Sequence, residues 1–185
     1  MMRRRLILLG CALLAACAAQ RPQPNAFEHI PDHYVVSGRF SVKDAKGTGY
    51  SASFDWNHQG SHDQLDITNM LGQTMARIEL DPAGAHYFGS DGKARSADDI
   101  AALTDRELGW QLPAEGLRYW LLGLADPARD AQWGSSDTGP TLEQDGWHIQ
   151  FDATPPAAPK AINLTRPEVR VRILVSDWQL SDAAP

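Results

Sequence analysis

The chain has 185 residues, with 17 lysines and arginines against 23 acids and a net charge of −6. That balance argues against a nucleic-acid partner and against general electrostatic adhesion to anionic lipid. The length allows one domain with a real core, and six tryptophans imply a large aromatic interior or an apolar site.

The amino end begins with a cationic start at Arg3, Arg4 and Arg5, followed by an apolar run from Leu6 to Leu14. The run is too short to span a bilayer, which needs about 20 apolar residues, and it fits a secretory signal. Leu14-Ala15-Ala16-Cys17 then resembles the lipobox of bacterial lipoproteins. The resemblance implies cleavage before Cys17 and an S-diacylglycerol and N-acyl group (palmitate, for example) on that cysteine. An ordinary signal peptide with a cysteine near its cleavage site is the alternative. Ala18 follows the anchor in place of aspartate, which by resemblance to Gram-negative sorting implies the periplasmic face of the outer membrane. The expected division is residues 1–16 as signal peptide, 17–31 as lipidated N-terminus and tether, and 32–185 as a single domain. The leader holds three arginines and no acid, so its removal takes the net charge from −6 to −9. With Cys11 discarded and Cys17 blocked, no thiol remains for a disulfide or a metal site.

From Tyr34 the pattern has period two, the mark of a sheet with one buried face. Tyr34, Val36, Gly38, Phe40 and Val42 share one side; after a turn at Lys46-Gly47-Thr48-Gly49, Tyr50, Ala52, Phe54 and Trp56 alternate again. Leu65 and Ile67 begin a third strand, Thr74, Ala76, Ile78 and Leu80 form a fourth, and Ala85 and Tyr87 mark a fifth. Asp91-Gly92 predicts a hairpin with a short strand at Lys93-Ala94-Arg95. The period then changes. Ser96, three residues before Asp99, reads as a helix cap, and Ile100, Leu103 and Leu108 follow at helical spacing up to Gly109. Pro113 opens a second helix with Leu117, Trp120, Leu121 and Leu124 on its apolar face. Strands resume at Thr141–Gln144, Trp147–Phe151 and Lys160–Thr165, and a long last strand carries Val169, Val171, Ile173 and Val175. Antiparallel strands interrupted by two amphipathic helices predict a curved sheet or open barrel with the helices in its mouth. Periodicity does not say whether the concave side is filled or hollow.

Thr68-Asn69-Met70-Leu71-Gly72 reads as a turn with an apolar pair at its tip, where polar residues are the default. Either Met70 or Leu71 tucks against the core, or the pair probes a membrane. Burying one leucine contributes about 1.5–3 kcal/mol, enough for brief contact and too little for anchoring.

Six segments occur in a telling order. They are Gly38-Arg39-Phe40, Ser53-Phe54-Asp55-Trp56, the Thr68–Gly72 loop, Leu108-Gly109-Trp110-Gln111-Leu112-Pro113, Tyr119-Trp120-Leu121-Leu122-Gly123-Leu124 and Gly146-Trp147. Behind a lipobox, this series resembles the LolB family of outer-membrane lipoproteins over nearly the whole mature chain. The resemblance implies a mainly β fold, an incomplete antiparallel barrel of the LolA/LolB kind, with an apolar cavity lidded by helices. It implies a receptor that takes acylated lipoprotein cargo from a LolA-like periplasmic carrier and inserts it into outer-membrane lipid without nucleotide. The cargo's acyl chains are then expected against Val36, Phe40, Phe54, Trp56, Ile78 and Ile173, under a lid of Trp120, Leu121 and Leu124. For any one of these, plain core packing is the alternative. Met70 and Leu71 become the expected membrane-inserting loop, Met70 standing where relatives often have proline. A monomer is expected, with no nucleic acid and no cofactor beyond the lipid on Cys17. The competing reading is a structural or assembly-factor lipoprotein with a filled core.

Enzyme signals are weak. Asp137-Thr138-Gly139 matches the aspartic-protease tripeptide, but it follows Gly134-Ser135-Ser136, which reads as a polar loop and not an apolar strand, and has no second copy. His58 and His62 have a chelating spacing, yet Gln59-Gly60-Ser61 between them reads as a turn; His29 and His33 flank Pro31. Loop histidines in solvent are expected, with no metal. Neither a nucleophile elbow nor a phosphate-binding glycine pattern is present.

Overall fold

Alternation drives the fold, because a strand shows successive side chains to opposite faces. In β1 (His33–Asp44), Tyr34, Val36, Gly38, Phe40 and Val42 are buried while Arg39 and Lys43 are exposed. β2 (Gly49–Gln59) repeats this with Ala52, Phe54, Trp56 and His58 inside. β3 (His62–Thr68), β4 (Thr74–Asp81), β5 (Gly84–Gly89) and β6 (Ala94–Ala97) continue as a meander. Two helices, α1 (Ile100–Leu108) and α2 (Ala114–Trp120), precede a second series of strands. These are β7 (Ala131–Ser136), β8 (Gly139–Gln144), β9 (Trp147–Phe151), β10 (Ala161–Arg166) and β11 (Val169–Leu180). The computed structural model describes residues 27–97, 100–152 and 158–180. The expected signal peptide, Cys17 and the tether as far as residue 26 lie outside the described residues.

The eleven strands among the described residues form one antiparallel sheet, in the order β6-β5-β4-β3-β2-β1-β11-β10-β9-β8-β7. The first and last strands pair at its centre, and the outermost strands β6 and β7 do not pair with each other. The barrel is therefore unclosed. The segment joining β6 to β7 has to cross from one edge to the other, and it crosses the concave side. That places Leu103, Leu117, Trp120, Leu121 and Leu122 in one buried cluster with Phe54, Trp56, Leu142 and Ile162. Gly109, at a φ of 78°, ends α1 in the left-handed region that glycine tolerates best, its N–H donating to Asp105 O at 2.9 Å.

Gly38 marks where the two arms meet. The β1–β11 register shifts between Ser37 and Gly38, and a Cβ on Gly38 would lie 2.2 Å from Leu174 O and 2.9 Å from the Phe54 ring. Gly38→Ala is expected to destabilise by about 1–3 kcal/mol through overpacking against backbone that cannot yield. A thermal melt reads this directly, and an unchanged midpoint would mean the bulge relaxes freely.

The structure departs from the expectations in four places. Ser96 is a strand residue of β6, its Oγ 2.9 Å from His86 Nδ1, and not a helix cap; residues 98 and 99 lie outside the described ones. The second helix ends at Trp120, so Leu124 is off the helix and only half-buried. Gly134-Ser135-Ser136 is the end of strand β7 and not a loop, with Asp137 and Thr138 turning into β8. His58 is 4% exposed and faces the core, whereas His62 is exposed as expected.

Candidate functional site

The concave face of β1, β2, β3, β10 and β11 and the underside of the helical segment enclose an apolar cavity. Phe40, Phe54, Trp56, Leu65, Ile67, Leu164, Val171 and Ile173 form its barrel wall. Trp110, Leu112, Pro113, Leu117 and Leu121 close it from the helical side. Its free volume is about 30 Å³ and its exposed walls are wholly apolar. A water would fit by volume, needing roughly 10–15 Å³, but it also needs two to four polar partners, and these walls offer none.

Of the residues singled out from the sequence, Phe40, Phe54, Trp56, Leu121 and Ile173 meet around this space. Val36 and Ile78 are buried in the same core without lining it. Trp120 is fully buried but anchored elsewhere, its Nε1 donating to Gln144 Oε1 at 2.9 Å. Leu124 packs at the edge of the core. Trp110, Leu112 and Pro113, which lie in the irregular connector between the helices, were not expected in the cavity. Trp110 and Leu112 had only their place in the Leu108–Pro113 motif as a signal, and Pro113 was expected only to open α2, which it does.

Trp110 separates this cavity from a solvent-open groove of about 880 Å³ at the barrel mouth. The groove runs between the β1–β2 turn, the end of α1 and the β10–β11 turn. The Trp110 indole N–H donates to Tyr50 Oη at 2.9 Å, and the Tyr50 ring stands edge-on to Phe40 at 5.9 Å. Burial pushes the Tyr50 hydroxyl above its ordinary pKa, so it stays a neutral acceptor for that indole. The connector is tied to α1 by Leu112 N–H donating to the buried Thr104 Oγ1 at 2.9 Å.

A polar cluster fastens α2 to the wall. Asp63 Oδ1 accepts from Trp56 Nε1 at 2.8 Å and lies 2.7 Å from His58 Nδ1. Its Oδ2 is 3.2 Å from Arg118 Nη2 on α2, an ion pair outside hydrogen-bonding geometry. Tyr34 stacks on His58 at 4.9 Å and donates from its hydroxyl to Arg118 O at 3.3 Å. Burial, reinforced by Asp63, raises the Tyr34 pKa far above the ordinary tyrosine range, so the hydroxyl keeps its proton. His58 is thus occupied by Asp63, and no group of three or more metal-ligating side chains comes together among the described residues.

The apolar loop between β3 and β4 projects at the mouth end. Met70 is 82% exposed and Leu71 84%, so neither tucks against the core. Asn69 holds the loop: its Oδ1 accepts from Leu71 N and Gln73 N at 2.9 and 3.0 Å, and its Nδ2 donates to Gln73 Oε1 at 2.9 Å. Gly72, at φ 77°, completes the turn. The tip is presented by a stapled backbone, without proline at Met70.

Comparison with known proteins adds sequence and structural relatives. A family model described as "Outer membrane lipoprotein LolB" matches residues 32–178. A relative from Chromobacterium violaceum named outer-membrane lipoprotein LolB is 39% identical, the match covering 97% of this chain and 100% of that one. One of the same name from Thiobacillus denitrificans is 33% identical, covering 96% and 98%. Among solved structures, a LolA superfamily protein from Nitrosomonas europaea superposes with a TM-score of 0.50 at 10% identity, over 84% of this chain and 90% of that one. At that identity the likeness concerns the fold alone.

Proposed function

The chain belongs to the LolB family of outer-membrane lipoproteins, and on that footing we propose that it receives acylated lipoproteins from a LolA-like periplasmic carrier. It holds their acyl chains in the cavity under α1 and α2 and inserts them into the outer membrane without nucleotide. Cys17 carries its own anchor, two or more acyl chains being durable where one is marginal. Residues 17–31 then act as a tether for a single monomeric domain.

The observation that carries this reading is the apolar space between barrel wall and lid, separated from the mouth by Trp110. Each methylene exposed to water costs about 0.8 kcal/mol, so a diacylated cargo faces tens of kcal/mol against free diffusion. A second apolar cavity, met mouth to mouth, removes most of that cost. Transfer then needs only a tighter fit here than on the carrier. Entry requires the 109–113 connector to swing, carrying Trp110, Leu112 and Pro113 away from the wall. The work of opening is offset by the chain that replaces those contacts.

The small free volume also suits the competing reading, a structural lipoprotein with a filled core. Cargo bearing a photoreactive group at the end of an acyl chain separates the two. After transfer from loaded carrier and irradiation, label is expected on peptides containing Phe54, Trp56, Leu65 and Ile67. Label confined to the Met70–Leu71 peptide, or absent although the carrier releases cargo to membranes, would favour the filled core.

A further inference from the structure

The acidic balance of the chain hides a segregated charge on its convex face. On β1 and β11, Arg39, Lys43, Arg170 and Arg172 all point away from the core and are exposed. Lys43 stands directly opposite Arg170, while Arg172 is opposite Ser41 and Arg39 opposite Leu174. The remaining neighbours in register are neutral: Gly49 and Ser53 on β2, Asn163 and Thr165 on β10. None of the four cations has an ion-pair or hydrogen-bond partner among the described residues. Asp44, at the end of β1, is taken up by the N–H groups of Lys46 and Thr48 at 2.9 and 2.8 Å, and Glu168 lies in the neighbouring turn. Acids on this face gather toward the opposite end, where Ser37 donates to Asp55 and pairs in register with Asp177.

Like charges set side by side across strands are unfavourable unless something else neutralises them. The position of the strip says what does. Thr68 and Thr74, which flank the apolar loop, lie in one register line with Ser53, Arg39 and Leu174. From that line the loop projects toward the end where Lys43 and Arg170 stand. Two strand spacings, about 10 Å, separate β1 from β3. Cations flanked by small hydroxyl and amide side chains suit phosphate oxygens, which accept several charge-assisted hydrogen bonds at once.

We propose that the strip formed by Arg39, Lys43, Arg170 and Arg172 binds the phosphates of anionic phospholipid, orienting the barrel mouth on the membrane while the Met70–Leu71 loop enters the apolar layer. This goes beyond the acceptor reading and rests on the outer-membrane location and on the Met70–Leu71 loop as the membrane-entering tip. The sheet face supplies polar attraction and the loop supplies apolar contact, on a protein whose net charge would otherwise repel an anionic surface.

The test uses the mature chain, residues 17–185, made with Cys17→Ser so that no lipid tethers it, and contains neither carrier nor cargo. Its outcome is therefore independent of acyl-chain transfer. Flotation with phosphatidylethanolamine vesicles, with and without phosphatidylglycerol, measures partitioning at low and high salt. Binding is expected to rise with phosphatidylglycerol and fall with salt. The Lys43→Gln/Arg170→Gln/Arg172→Gln variant should lose about fivefold per cation, or roughly a hundredfold in all, since each basic residue near an anionic surface contributes about 1 kcal/mol. Asp177→Asn, at the acidic end, should bind as the parent does. Melting curves confirm that the variants fold, and relief of like-charge crowding should leave the triple variant at least as stable. Equal binding to both vesicle types, or unchanged binding by the triple variant, would overturn the proposal.

Discussion

Leu71→Glu is expected to leave the fold intact and remove most delivery of cargo to membranes. Leu71 is 84% exposed, and Asn69 fixes the loop through backbone N–H groups that the substitution does not touch. Surface changes of this kind usually alter stability by less than about 0.5 kcal/mol. What changes is the tip's partition into lipid. Burying leucine contributes about 1.5–3 kcal/mol, and a factor of ten corresponds to about 1.4, so delivery should fall roughly 10- to 100-fold. Acceptance from the carrier should be unaffected, because Leu71 lines neither the cavity nor the groove at the mouth. Labelled cargo is followed from carrier to protein by immunoprecipitation and from protein to outer-membrane vesicles by sedimentation. Equal delivery by the variant would remove the loop from the mechanism while leaving the acceptor step in place. Cargo remaining on a competent carrier would instead sink the acceptor step itself.

The strands and hairpins were legible where two signals agreed: alternation within the strand and turn chemistry at its end. β1 and β2, joined by the Lys46–Gly49 turn with Gly47 at positive φ, show both. β7 was not legible, because Gly134-Ser135-Ser136 neither alternates nor has strand propensity. It is an edge strand held by pairing with β8 alone, which sequence pattern does not show. Ser96 failed differently. The spacing of serine and acid fits a helix cap, but pairing with His86 across β5 and β6 decides its conformation. His58 was within reach of the sequence. It continues the inward parity of Phe54 and Trp56, and Asp63 shares the inward parity of Leu65 and Ile67. Residue type, polar and next to a turn, outweighed position. The cavity wall was partly legible for the same reason of parity, since Phe40, Phe54, Trp56 and Ile173 all face inward. Empty space was not, because periodicity assigns a side chain to a face and says nothing of how deeply the opposite face fills it. Trp110 lies on a connector with no period at all.

Asp63→Ala is expected to be among the most destabilising single changes, because it strips two buried groups and one half-buried cation of a shared partner. The carboxylate is 1% exposed and holds the Trp56 indole N–H, His58 and the Arg118 guanidinium. Removing one member of a buried charge cluster costs about 3–5 kcal/mol, chiefly because the remaining charge is left uncompensated. Each kcal/mol shifts the melting midpoint of a domain this size by roughly 2–4 °C, so a fall of about 6–20 °C is expected. Asp63→Asn keeps the shape and an acceptor for Trp56 but not the charge facing Arg118. Arg118→Met alone should cost less, since that side chain is 25% exposed and its loss leaves Asp63 with Trp56 and His58. The informative quantity is the coupling between Asp63→Asn and Arg118→Met in a double-mutant cycle. Groups in one network typically couple by about 0.5–3 kcal/mol, and independent sites add to within about 0.3–0.5. Coupling above about 1 kcal/mol would make the pair a real fastening between barrel and lid. Arg118→Met should then also speed uptake of a lipophilic dye, because α2 carries Leu117 of the cavity lid on the same short helix. Additive effects with unchanged dye uptake would mean that apolar packing alone holds α2 down, with Trp120 and Leu121 as its anchors.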